Sequence, residues 1–221
     1  MALNDTLPDP LPLDPLAVAA DWLAQAWQRM DQPNPNAMVL ATVDANGTPA
    51  ARVVLCKGIE PQPGVVRFVS NYHSRKGRAL SADPRAALVF HWDHSHRQLR
   101  IEGVVQRVSA DDSDRYFASR AWASQLGAHA SEQSQPIASR QALADKLDAV
   151  TARYGAVPGS GSQTMQRPPH WGGYVLWVAA VELWTEGDAR IHDRARWQRD
   201  LQLKADGSVH TGAWHATRLQ P

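Results

Sequence analysis

Four groups of residues place cations at spacings that could grip an anion, three of them together with hydroxyl, amide or aromatic side chains. In Asn71-Tyr72-His73-Ser74-Arg75-Lys76-Gly77, Ser74 can cap a following helix and leave Arg75 and Lys76 in its first turn. Backbone N–H groups, the positive helix end and two cations then converge, which suits a phosphate dianion. A solvated basic turn is the plainer alternative, and spacing alone does not choose. In Arg52-Val53-Val54-Leu55-Cys56-Lys57, two cations bracket an apolar run. Their parity is opposite, so a regular strand sends them to opposite faces unless a bulge realigns them. The charged ends of an edge strand are the plainer reading.

Tyr116, Arg120 and Ser124 stand at i, i+4 and i+8, one face of a helix if the helix is continuous. All three can donate to phosphate oxygens, at about 1.5–3 kcal/mol for each charge-assisted bond. An ordinary surface face is the alternative. In Arg190-Ile191-His192-Asp193-Arg194, a strand would place Arg190, His192 and Arg194 on one side. Three basic groups there repel unless an anion or acid sits among them, and the His192 imidazole could donate or accept a proton. Trp184, eight residues before His192 and across an expected turn, could pack near an aromatic cofactor. His91, His94 and His96 crowd another turn without evident convergence, so no metal site is expected. Gly159-Ser160-Gly161-Ser162 lacks the flanking strand, helix and third glycine of a dinucleotide loop and reads as a linker.

The elements that must position these groups are readable in outline. Asp14-Pro15 looks like a cap and first helical residue. The helix they open carries Leu16, Ala19, Leu23, Ala26, Trp27 and Met30 on one stripe. Before it, Met1–Asp14 is too rich in Pro and Asp for a regular helix and reads as a flexible arm. Strands are expected over Met38–Val43, Pro49–Lys57, Val65–Ser70, Ala86–Trp92, Gln98–Val108, Gly173–Thr185, Arg190–Arg199 and Trp214–Leu219. Asn46-Gly47 marks a hairpin. In Gln98–Val108, Leu99, Ile101, Gly103 and Val105 share one face, with Gln98, Arg100, Glu102 and Gln106 on the other. Helices are expected after Ser74, over Asp111–Gln125, and after Ser139, with Leu143, Leu147, Val150 and Tyr154 on one side and Gly155 as the stop.

The pattern predicts an α+β fold, mainly antiparallel β, with a barrel and peripheral helices. Two parts are expected: residues 1–35 as the arm plus one helix, and 36–221 as one domain. The net charge of +1 in 221 residues gives no global field for nucleic acid or membrane. The single cysteine, Cys56, rules out an intrachain disulfide and a cysteine-ligated zinc or iron–sulfur site. No leader pattern and no run near the roughly 20 apolar residues of a bilayer span is visible, so a cytoplasmic protein is expected.

Read together, these blocks resemble the pyridoxamine 5′-phosphate oxidase family from about Asn36 to Pro221. The resemblance rests on Arg52–Lys57, Ser74–Lys76, Arg97-Gln98, Tyr116–Arg120 with Ser124-Gln125, Gln133-Ser134, Trp171–Gly173, Val181–Trp184, Arg190–Arg194 and the terminal Arg218-Leu219-Gln220-Pro221. It implies an FMN-binding split β-barrel, working as a homodimer with its sites at the subunit interface. Carried over by position, Arg52, Lys57, Ser70, Arg75, Lys76, Gln98, Gln133, Ser134, Trp184 and Arg194 would contact FMN, some from the second subunit. Lys57, Tyr116, Arg120 and Ser124 would hold the substrate phosphate, and Arg190 and His192 would act over the pyridine ring. The implied reaction oxidises pyridoxamine or pyridoxine 5′-phosphate to pyridoxal 5′-phosphate, by hydride transfer from C4′ to flavin N5, with dioxygen reduced to hydrogen peroxide. A phenazine-type flavin oxidase and a non-catalytic flavin- or haem-binding split-barrel protein are the alternatives. Val69 and Thr185 depart from the family pattern, and the arm lacks the basic and aromatic residues that many members place over the site.

Overall fold

The computed structural model describes residues 6–29 and 31–221. Helix α1 (Pro15–Arg29) starts where its cap predicts, with the Leu16 amide donating to Asp14 Oδ1 at 2.9 Å. It buries Leu16, Ala19, Trp22, Leu23 and Ala26. Trp27 was expected on that stripe but is half exposed, because it stands at the edge of the buried arc on the last turn. Met30 and Met1–Asp5 lie outside the described residues. The rest of the arm holds no regular element, yet it is anchored. Leu7 is buried and its amide donates to Asp193 Oδ2 (2.8 Å), Trp197 Nε1 donates to the Pro12 carbonyl (2.8 Å), and Arg218 Nη2 donates to the Pro8 carbonyl (3.0 Å).

The chain forms two compact units. The first comprises the chain up to Phe68 with Asp83–Gln106 and Val175–Pro221, and it is the barrel. Its strands are β1 (Ala37–Val43), β2 (Pro49–Glu60), β3 (Val65–Asn71), β4 (Arg85–Trp92), β5 (Arg97–Arg107), β6 (Trp171–Thr185), β7 (Asp193–Gln198), β8 (Leu201–Leu203), β9 (Val209–Thr211) and β10 (His215–Leu219). Neighbours run β6-β3-β2-β1-β4-β5 and back to β6, a closed ring of six strands from which β7 and β10 extend. The β1–β2, β1–β4, β2–β3, β4–β5 and β6–β7 pairs are antiparallel. The Asn46-Gly47 turn closes the first hairpin, with Gly47 at φ +80°.

Alternation puts Leu40, Phe68, Leu88, Phe90, Leu99 and Ile101 inside the ring, all essentially without solvent contact. Gly103 belongs to the same inward face. A Cβ there would lie 1.9 Å from the Trp177 carbonyl oxygen, so the close crossing of β5 and β6 that shuts the ring requires glycine. The small β8–β9 hairpin was not expected, although Asp206-Gly207 is a turn signal, with Gly207 at φ +83°.

The second unit comprises Val69–Ala82 and Arg107–Tyr174. It holds α2 (Arg75–Ala82), α3 (Ala110–Ala118), α4 (Trp122–Ala130) and α5 (Arg140–Tyr154). Ser109 and Ser139 cap α3 and α5 by accepting the Asp112 and Ala142 amides. The single helix expected over Asp111–Gln125 is two helices. Phe117 and Leu126 are both buried; nine residues apart at about 100° each they would point opposite ways on a straight helix. A break at Ser119–Ala121 lets both sides bury. Ser119 Oγ takes up the Tyr116 carbonyl and Gln125 Nε2 the Arg120 carbonyl, at 2.8 Å each. On α5, Leu143 and Leu147 are largely exposed and only Tyr154 of the expected stripe is buried. Among the described residues no helix is long and apolar enough to cross a membrane.

Candidate functional site

In the helical unit, the turn from β3 into α2 forms as its residues dictate. Ser74 Oγ accepts the Gly77 amide (3.2 Å) and donates to the Asn71 carbonyl (2.7 Å), capping the helix. Lys76 is buried, and its ammonium donates to Gln133 Oε1 (2.6 Å) and Ser74 Oγ (3.2 Å). Ser70 Oγ reaches the same Gln133 oxygen at 3.4 Å. Ser134, the next residue, is held at φ +71°. Thus Ser70, Lys76 and Gln133, separated by up to 63 positions, meet at one place, and Ser134 follows Gln133 in the chain. Arg75 is exposed on the first turn of α2. A cavity of about 590 Å³ opens beside Gln133, lined by Asn71, His73, His129 and His170 among others.

The break between α3 and α4 corrects the expectation that Tyr116, Arg120 and Ser124 share one helix face. Tyr116 stays on α3, Arg120 falls in the break and Ser124 lies exposed in the first turn of α4. Trp171, which carried no role in the sequence reading, joins the first two. Its ring lies nearly parallel to Tyr116 (centroids 6.3 Å apart, 9°), and the Arg120 guanidinium sits 4.5 Å over its centre. Arg120 Nη1 is buried with no hydrogen-bond partner among the described residues. Burial pulls the Arg120 pKa below its ordinary value, yet an arginine stays charged at neutral pH. A buried, charged donor without an acceptor is costly, and an anion at that spot would relieve it.

In the barrel unit, a bulge does occur at Lys57: Cys56 pairs with Phe68 and Gly58 with Arg67, leaving Lys57 as the extra, exposed residue. Arg52 is half-buried and donates to the Leu40 carbonyl (2.9 Å) and Thr42 Oγ1 (2.8 Å). On β5 the expected alternation is observed, with Gln98, Arg100 and Glu102 facing away from the core. Trp184 on β6 is paired with Arg194 on β7, and Glu182 with Arg196. These side chains form a charged face of three arginines and two glutamates. Arg196 grips Glu102 with both Nη atoms (3.0 and 2.8 Å), and Glu182 accepts from Arg100 (3.1 Å) and Arg194 (2.8 Å). The arginine pair holds the Glu102 carboxyl below its ordinary pKa.

The expectation that Arg190, His192 and Arg194 line one strand face is corrected as well. Strand β7 starts only at Asp193; Asp188–Arg190 form a 3-10 turn, with Ala189 and Arg190 at φ +52° and +64°. Gly187 makes that turn possible, since a Cβ there would lie 1.8 Å from the Ile191 carbonyl oxygen. The outcome is an exposed Arg190 and a half-buried His192 whose ring packs 4.7 Å from Trp184. The Gly187 amide donates to His192 Nδ1 (3.2 Å), so a neutral imidazole carries its proton on Nε2. Two left-handed residues outside glycine cost energy, and such strain concentrates where a side chain must be aimed. The histidine-rich turn is more ordinary: His96 pairs with Glu186, and His91 lies 3.8 Å from Asp93.

Residues 25–154 match the family model described as pyridoxamine 5′-phosphate oxidase, and residues 171–221 match the pyridoxine 5′-phosphate oxidase C-terminal dimerisation region. The chain is 43% identical to pyridoxine/pyridoxamine 5′-phosphate oxidase of Roseobacter denitrificans, over 94% of each chain. It is 50% identical to the protein of the same name from Bordetella avium, over 86% of this chain and 83% of that one. Among solved structures, PhzG of Burkholderia lata, in complex with tetrahydrophenazine-1-carboxylic acid, superposes with a TM-score of 0.84 at 27% identity over the whole of both chains. A pyridoxamine 5′-phosphate oxidase-related, FMN-binding protein from Nostoc punctiforme shares the fold (TM-score 0.69, 17% identity, 96% of this chain and all of that one). The six-stranded ring with its helices is therefore a split β-barrel, and the chain belongs to the pyridoxamine 5′-phosphate oxidase family.

Proposed function

We propose that this protein is an FMN-dependent oxidase that converts pyridoxamine 5′-phosphate and pyridoxine 5′-phosphate to pyridoxal 5′-phosphate, with dioxygen as the final acceptor. The observation that carries the reading is the buried Arg120 Nη1, charged and without a hydrogen-bond partner among the described residues, over the Trp171 ring beside Tyr116. A phosphate ester supplies the acceptor this donor lacks, and Tyr116 and Ser124 add neutral donors.

The residues present also fit FMN. Ser70, Lys76 and Gln133 form a hydroxyl, ammonium and amide cluster beside the N-terminus of α2, the donor set a phosphate monoester needs, with Arg75 adding charge and Ser134 a further hydroxyl next to Gln133 in the chain. Gln98, Trp184 and Arg194 supply an amide, an indole and a guanidinium suited to the polar edge and face of an isoalloxazine, with Arg52 and Lys57 as further contacts. When bound, FMN supplies the acceptor for hydride and the route for electrons to dioxygen. The chain's own part is to bind, orient and polarise. The phosphate grip spends remote binding energy on fixing the reacting carbon. Arg190, aimed by its left-handed backbone, orients the pyridine ring, and His192 offers Nε2–H as a donor.

Work as a homodimer is part of the proposal. It is supported by the match of residues 171–221 to a dimerisation region and by an apolar outer barrel surface, where Val39 is paired with Val53 and Leu55 follows on β2, all exposed in the single chain.

One observation favours a second reading: the likeness to PhzG over the full chain, which would make the substrate a tricyclic acid without phosphate. Steady-state kinetics of Arg120→Ala separate the two. A KM for pyridoxamine 5′-phosphate raised about tenfold or more, with a smaller change in kcat, supports the phosphate grip. Unchanged KM, or preference for a phenazine precursor, overturns it.

A further inference from the structure

We infer that Glu182 is a positioning residue that aims the Arg194 guanidinium at the flavin; this rests on the reading above that Arg194 contacts FMN. Glu182 sits in the middle of β6 with its side chain only 3% exposed. Burying a carboxylate there is costly, and well-packed apolar residues would stabilise the strand at least as well. Its hydrogen bonds indicate what the charge is for.

Glu182 Oε1 accepts from both Nε (3.2 Å) and Nη2 (2.8 Å) of Arg194, gripping one edge of the planar fork. The Gln220 carbonyl takes Nη1 at 3.0 Å from the other side. A guanidinium has five N–H donors in fixed directions. With three of them tied down on two sides, its plane cannot rotate, and the remaining two point in a set direction. Trp184 lies directly opposite Arg194 in the β6–β7 register and two residues from Glu182 on the same face, so that direction is fixed relative to the indole. The second carboxylate oxygen, Oε2, is balanced by Arg100 Nη1 at 3.1 Å. The neighbouring Glu102–Arg196 pair differs in its geometry: both Nη atoms of one guanidinium meet the two carboxylate oxygens, with Arg100 at 3.6 Å from Glu102 Oε1.

The test is a double-mutant cycle on FMN affinity, read by quenching of flavin fluorescence on titrating apoprotein, with the flavin midpoint potential as a second readout. Glu182→Gln in the native background is expected to weaken FMN binding about tenfold and to shift the potential. In an Arg194→Ala background the same substitution is expected to change affinity less than twofold, because Glu182 acts through Arg194. Equal losses in both backgrounds, or an unchanged potential in Glu182→Gln, overturn the inference and leave Glu182 a structural ion pair. If Arg194→Ala itself binds FMN as tightly as the native chain, the underlying placement of Arg194 is what fails. Should Glu182→Gln not fold, Glu182→Gln/Arg100→Gln keeps the charge balance and takes its place in the cycle, with Arg100→Gln as its reference.

Discussion

Arg120 and Glu102 are both half-buried, and the chain treats them differently. Among the described residues Arg120 keeps a donor without an acceptor, a cost that a bound anion would relieve. Glu102 is satisfied within the fold, and Arg196 holds its carboxyl below the ordinary value of 4.5. A carboxylate whose folded pKa is depressed stabilises the fold fully above its unfolded value. That contribution is lost as pH falls through the folded value. Glu102→Gln should therefore be less stable than the native chain at pH 7, with the gap closing between about pH 5 and pH 3. Urea midpoints across that range check it, and a gap that widens toward acid would contradict the assignment.

At the scale of elements, ring closure depends on a backbone crossing too tight for any side chain. Gly103→Ala puts a methyl against the Trp177 carbonyl and should cost about 1–3 kcal/mol or more in urea unfolding; a neutral result would mean that β5 and β6 can separate there. Alternation made most strands legible in the sequence, because a half-buried strand writes its faces at every second residue: Leu99, Ile101 and Val105 against Gln98, Arg100 and Glu102. The caps at Asp14, Ser74 and Ser139 identify helix starts for an equally local reason. What escaped was set by distant packing. The α3–α4 break answers the need to bury Phe117 and Leu126 together, and no residue at Ser119–Ala121 announces it. The late start of β7 depends on left-handed Ala189 and Arg190, residue types that give no hint of such backbone. Trp171 was visible within a motif, but its role required seeing Tyr116 and Arg120 gathered on its ring. The residue types of the candidate site are visible in the sequence; the way each is aimed is not.

For the whole molecule, the exposed valine and leucine side chains on the outside of β1 and β2 are out of place on a solitary barrel, and association of two copies would cover them. Val53, 64% exposed, can accept a charge without disturbing the interior. Val53→Glu is expected to leave the fold intact by circular dichroism and to halve the molar mass seen by light scattering after size exclusion; a native mass would move the interface elsewhere. The central claim, that the chain oxidises a phosphorylated pyridine amine or alcohol through bound FMN, is tested most directly by one anaerobic titration. Pyridoxamine 5′-phosphate added to the FMN-loaded protein without oxygen should bleach the visible flavin band, and admitting air should restore it with release of hydrogen peroxide. A flavin spectrum that stays oxidised at saturating substrate would contradict the account.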